Sequence, residues 1–123
     1  YIQLTKDLDF SVLSGNDSLI LPALKEGGVG GIAGCSNVYP KVLSSIYELF
    51  QEGKLDEAQA AQDSIASFRA VFKYGNPNTV VKTAVAMLGY NVGKCRAPFN
   101  QLPQEGLEAL EKVLQENKDK GMC

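Results

Sequence analysis

The sequence predicts an α/β chain in which two short parallel strands joined by one helix are followed by helices alone. Three observations carry that reading. The runs "FSVLSG" and "GVGGIAG" are β-type, and "DSLILPALKEGG" between them has the length and spacing of a helix. Strand, helix and strand in that order form a βαβ unit, whose strands must run parallel. Beyond residue 37 every apolar stripe repeats at helical spacing.

Each element follows from its residues. "YIQLTK" reads as the last turn of a helix, and Phe10, Val12 and Leu13 as a short strand ending at "SGND". In the connecting helix, Asp17 or Ser18 is the expected amino-terminal cap and Leu19, Leu21 and Leu24 are its apolar contacts. Pro22 lies near the first turn, where a missing N–H costs least, and Gly27-Gly28 ends the run. The glycines of residues 28–34 imply close approach of a neighbour or a ligand to the second strand. Val42, Leu43, Ile46, Leu49 and Phe50 mark the next helix, which Gly53 stops. Ala58, Ala61, Ile65, Phe68 and Phe72 form one stripe from Leu55 to Tyr74. The turn Asn76-Pro77-Asn78 starts a third helix that ends at Gly89, and a fourth begins near Pro103. The polar tail "NKDKGMC" is expected to fray. Parallel strands are buried on both faces, and two alone make no stable sheet. We therefore expect the carboxy-terminal part of a larger α/β protein, with core strands in residues 1–53 and a helical extension over 54–123.

Composition removes several classes of function. Hydrophobic content of 45% and charged content of 21% are those of an ordinary globular protein. A net charge of −2 with scattered basic residues predicts neither a nucleic-acid partner nor a polybasic membrane patch. No apolar run approaches the ~20 residues that span a bilayer. The amino-terminal residues lack the basic flank and apolar block of a secretory leader. The chain begins with Tyr1 rather than Met, so a start made by cleavage or truncation is expected. Cys35, Cys95 and Cys123 are too far apart for a C-x-x-C motif and are read as reduced thiols of a cytoplasmic protein. Histidine is absent, which removes the commonest general base and the commonest metal ligand.

The motifs narrow the choice further. Gly28-x-Gly30-x-x-Ala33 fits a loose dinucleotide fingerprint, but that motif needs a strand before the glycines and a helix opening within them. Here a helix precedes and the glycines are the strand. No Gly-Lys-Ser/Thr follows, so phosphate cradling fails. Asp56, Glu57 and Asp63, like Glu105, Glu108 and Glu111, read as solvated helix faces. Lys25, Lys41, Lys54, Lys73, Lys82 and Lys94 fall on helices or loops, whereas a Schiff-base lysine needs burial or a cationic neighbour to lower its pKa. "LSGND" and "GIAGCSN" are more telling. Both stand at strand carboxyl ends, where parallel α/β proteins gather their active sites. The competing reading makes them two tight turns, with Asp17 as a helix cap.

The segments "FSVLSGND", "GGVGGIAGCSNVYP", "GNPNTVVKTAVAMLG" and "CRAPFNQLPQEGLEALEKVL" follow one another at spacings that resemble the dihydrodipicolinate synthase / N-acetylneuraminate lyase family. The resemblance covers nearly the whole chain, and its specificity lies in the agreement of four segments. It implies the carboxy-terminal portion of a (β/α)8 TIM barrel followed by a helical extension. Residues 10–14 then resemble barrel strand seven and residues 29–33 strand eight.

The chemistry so implied is that of a class I aldolase. A lysine at the end of strand six forms a Schiff base with pyruvate or another 2-oxo acid, and the enamine adds to an aldehyde or the reverse cleavage occurs. A tyrosine moves protons and a pair of hydroxyl residues holds the carboxylate. All of these belong upstream of Tyr1, so no catalytic residue is expected in this chain, and no cofactor or metal. The family match makes Ile32 the position whose carbonyl approaches the 2-oxo acid. Gly15, Asn16 and Asp17 match the loop facing the second substrate. Asp17 is expected to act on the aldehyde rather than on pyruvate. Sialic acid lyases carry Gly-x-Asp-Glu in that loop; here Ser18 replaces the Glu, and Gly34 stands where they carry a hydroxyl. Asn37-x-x-Pro40 looks more like dihydrodipicolinate synthases and 2-keto-3-deoxy sugar-acid aldolases, while Tyr74-Gly75 departs from the Glu-Pro-Asn-Pro of many synthases. The expected protein is a cytoplasmic homotetrameric lyase, dihydrodipicolinate synthase-like. The alternatives are a sugar-acid aldolase or sialic acid lyase of the same family, and, from another class, a helical interaction module without catalysis.

Overall fold

The computed structural model describes residues 1–99 and 101–123; Asn100, within the fourth family-like segment, lies outside the described residues. Helix α1 (Ile2–Thr5) precedes strand β1 (Leu13–Ser14), and a 3-10 turn (Asp17–Leu19) opens helix α2 (Ile20–Lys25). Strand β2 (Gly30–Gly31) pairs with β1 in parallel, Leu13 opposite Gly30 and Ser14 opposite Gly31. The ladder is shorter than residues 10–14 and 29–33 would make it. Single bonds extend it, from Val29 N–H to the Val12 carbonyl (2.9 Å) and from Ile32 N–H to the Ser14 carbonyl (2.8 Å).

The strand glycines make room for helix α2. A Cβ on Gly31 would sit 2.9 Å from Ile20 Cγ1, and one on Gly28 would sit 2.8 Å from the Ala23 carbonyl oxygen. The close neighbour expected at this strand is therefore the crossover helix itself. That helix stops as read, with Gly27 at φ +102°.

Helices make up most of the remaining described residues, apart from the connection between Met87 and Gln104. A second 3-10 turn (Gly34–Asn37) leads into α3 (Pro40–Gln51), which packs along α4 (Leu55–Ser64). The stripe from Leu55 to Tyr74 is not one helix. It breaks at Ile65, continues as α5 (Ala66–Arg69) and closes in a 3-10 segment (Ala70–Tyr74). Helix α6 (Pro77–Met87) is capped by Asn76, whose side chain accepts from Asn78 N–H, and α7 (Gln104–Asp119) starts directly after Pro103. Tyr39 and Phe68 meet edge to face at 5.3 Å in the core, among Leu21, Ile46, Ile65 and Leu110. No helix among the described residues is long and apolar enough to cross a membrane.

The tail does not fray where its polarity predicts. Helix α7 runs to Asp119, and Asn117 is 1% exposed because its amide donates to the Tyr39 hydroxyl at 2.9 Å. Beyond it Gly121 turns back at φ +73°, and Met122 N–H returns to the Asn117 carbonyl at 3.0 Å. This buried bond gives a stability test. Asn117→Ala strands the Tyr39 hydroxyl without its donor and should cost about 1–3 kcal/mol. Replacing both partners with apolar residues, as in Tyr39→Phe with Asn117→Leu, should recover most of that loss in the melting temperature.

Candidate functional site at the strand ends

The carboxyl ends of β1 and β2 lie side by side, and hydrogen bonds fold the loop after each into a defined shape. Ser14 Oγ donates to the Asn16 carbonyl at 3.0 Å and accepts from Asn16 N–H at 3.3 Å, which turns the chain immediately after the strand. Asn16 Oδ1 accepts from Ser18 N–H (3.1 Å) and from Ser18 Oγ (2.9 Å). Asn16, and neither Asp17 nor Ser18, is thus the cap of the 3-10 turn that opens α2. An Asx side chain reaches its own backbone two residues on, so the residue before the expected position wins the role.

Freed from capping its own turn, Asp17 reaches across to the other strand end. Its Oδ1 accepts from Cys35 N–H at 2.9 Å, in the 3-10 turn that follows β2. Its Oδ2 accepts from Arg69 Nη1 of α5 at 2.6 Å, with the two side chains 11% and 24% exposed. Its backbone carbonyl accepts from Gln62 Nε2 at 2.8 Å, and Gln62 Oε1 accepts from Leu21 N–H at 3.0 Å. Gln62 therefore satisfies one of the orphan donors in the first turn of α2 from a distant helix. The Arg69 guanidinium also lies 5.5 Å from the Phe72 ring centroid.

The four candidate residues divide by exposure. Gly15, Asn16 and Ile32 are open to solvent, Ile32 at 71%, whereas Asp17 is buried and borders a cavity of about 310 Å³ with Gly34, Asn37, Phe72 and Lys82. A Cβ at Gly15 would meet nothing within 4 Å, so the backbone there is free on its outer side. The Cys35 thiol beside this network is pushed up to about 12, by burial first and then by the Asp17 carboxylate, which leaves it protonated and unreactive. All three cysteines are free thiols. Glu105, Glu108 and Glu111 are exposed, as read.

Sequence reading missed Gln62 and Arg69. A signal was present: Ala58, Gln62, Ile65, Arg69 and Phe72 recur at helical spacing, so both polar residues fall on the apolar stripe. A polar group on a buried face needs a partner, and here both partners belong to Asp17 or to the turn it begins.

A parallel strand pair joined by a crossover helix, with its carboxyl-end loops tied together by Asp17, defines part of an α/β protein. The chain belongs to the dihydrodipicolinate synthetase family, whose model matches residues 2–117. It is 40% identical over 114 residues to the 4-hydroxy-tetrahydrodipicolinate synthase of Methanospirillum hungatei, a match that covers 92% of this chain and 39% of that protein. The solved 4-hydroxy-tetrahydrodipicolinate synthase of Methylacidiphilum fumariolicum SolV superposes with a TM-score of 0.85 at 35% identity, over 97% of this chain and 40% of that one. A variant of the 2-keto-3-deoxygluconate aldolase of Sulfolobus solfataricus superposes at 0.81 with 27% identity, over 91% of this chain and 39% of that one. The chain thus spans about 39% of the length of curated relatives such as the Methanospirillum hungatei synthase.

Proposed function

We propose that this chain is the carboxy-terminal part of a Schiff-base-forming, pyruvate-dependent lyase that condenses pyruvate with an aldehyde in the manner of dihydrodipicolinate synthases. The observation that carries the proposal is the clamped pair of strand ends, with Asp17 bonded to Cys35 N–H across the mouth. On this reading β1 is strand seven and β2 strand eight of a (β/α)8 barrel, and residues 54–123 are its helical extension. The Schiff-base lysine and the proton-transferring tyrosine lie upstream of Tyr1. The intact enzyme is a cytoplasmic homotetramer, as the family resemblance implies.

Within the site, Ile32 serves the 2-oxo acid through its backbone carbonyl, as the family resemblance implies. Gly15, Asn16 and Asp17 serve the aldehyde. A rim of this kind discriminates by hydroxyl and carboxylate pattern, because a buried polar group left unpaired costs about 1–3 kcal/mol. Tyr74-Gly75, in place of the acidic-proline pair of many synthases, keeps a sugar-acid aldolase as the second reading. The full-length polypeptide separates the two by kcat/KM. Condensation of pyruvate with aspartate semialdehyde should exceed cleavage of a 2-keto-3-deoxy sugar acid by at least about tenfold, the effect of one matched hydrogen bond. The opposite order would assign the sugar-acid activity, and no reaction with either would overturn the proposal.

A further inference from the structure

We propose that Arg69 is a positioning residue for the aldehyde half of the site, acting through the Asp17 carboxylate on both strand-end loops at once. The inference rests on the reading of this rim as the aldehyde face and goes beyond it, since Arg69 belongs to the helices after Gly53.

The geometry gives the reason. Among the described residues, Asp17 is the one side chain that bonds the loop after β1 to the turn after β2, through Cys35 N–H, and Arg69 holds the second carboxylate oxygen. Without the guanidinium, a carboxylate this buried keeps a single N–H donor and gains stability by rotating toward water. Rotation releases Cys35 N–H, and the two loops lose their tie. The deeper contacts do not depend on Arg69, because Val29–Val12 and Ile32–Ser14 are backbone bonds. The binding place of the 2-oxo acid near Ile32 is therefore spared while the rim above it loosens. Gln62 still holds the Asp17 carbonyl, so the loop keeps its course when Arg69 is changed. The guanidinium also lies 5.5 Å from the Phe72 ring centroid, a cation–π contact that adds to its hold on this position.

The test uses the full-length polypeptide with pyruvate and aspartate semialdehyde. Arg69→Gln should raise the KM for the aldehyde about tenfold or more and leave the yield of borohydride-trapped pyruvate within about twofold. Asp17→Asn alone should behave similarly, because its amide NH2 then faces the guanidinium. The double variant Asp17→Asn/Arg69→Gln should recover most of the loss, since Asn Oδ1 accepts from Cys35 N–H and its amide donates to Gln Oε1. A fall in melting temperature with an unchanged aldehyde KM would make the pair merely structural and overturn the inference. So would a double variant no better than the worse single one, or parallel loss of pyruvate trapping. Failure of the unaltered protein to trap pyruvate is a separate result: it overturns the enzymatic reading, and this inference with it.

Discussion

Borohydride added to the full-length polypeptide with pyruvate should fix the ketoacid to a lysine outside residues 1–123, and every lysine inside them should be recovered unmodified. A lysine attacks a carbonyl only as the free amine, so a Schiff-base lysine needs a pKa lowered from about 10.4 by burial or by a cationic neighbour. No lysine lies on β1 or β2, and all but Lys82 are exposed. Lys54 is driven the wrong way: hydrogen bonding and charge from Glu52 push its ammonium upward. Lys82 is the instructive case, because it is half-buried and borders the same cavity as Asp17. Its Nζ donates to the Lys94 carbonyl at 3.0 Å, so the side chain is already tied to the backbone of the following loop. The expected effect is all or none, read by intact mass and then by peptide mapping. A reduced pyruvyl adduct on Lys82, or on any other lysine here, would overturn the division of labour that places the reacting amine upstream.

The strand–helix–strand order and the helix ends marked by Pro and Gly were legible because they depend on local chemistry. Pro77, Pro103, Gly27, Gly53 and Gly89 act on their own backbone, so their effect is written where they stand. The break at Ile65 was not legible, because the apolar stripe runs through it without a change of period. The partners of Asp17 were beyond reach for a different reason. Periodicity places a residue on a face but does not say what that face meets, and Asp17 meets Arg69 across 52 positions of chain. The same holds for Asn117, whose polarity suggests a solvated tail until Tyr39 is found beneath it. Position at the strand ends was readable for Gly15, Asn16, Asp17 and Ile32; the division between exposed rim and buried clamp required the fold.

Expressed alone, residues 1–123 should show no cooperative two-state thermal transition as a monomer. Phe10 and Ile32 are 61% and 71% exposed, and Leu13 and Val29 stand open beside them on the strand pair. Parallel strands belong in sheets covered on both faces, and a ladder of two residues per strand supplies few bonds to offset that exposure. Each uncovered large side chain forgoes about 1.5–3 kcal/mol of burial, an amount that matters against net stabilities of about 5–15 kcal/mol. The outer edges of β1 and β2 also offer unpaired N–H and C=O groups, which invite association between chains. The helical core is better provided, with Leu43, Ile46, Phe68 and Leu110 buried together. Amides of α2 to α7 should therefore retain partial protection in hydrogen exchange, while those of the strand residues 10–14 and 29–32 exchange freely. Circular dichroism should show helix that melts over a broad range, and light scattering should detect association. A sharp monomeric transition, with amides near Gly30 and Ile32 protected as strongly as those of α3, would mean that this strand pair needs no further strands to cover it.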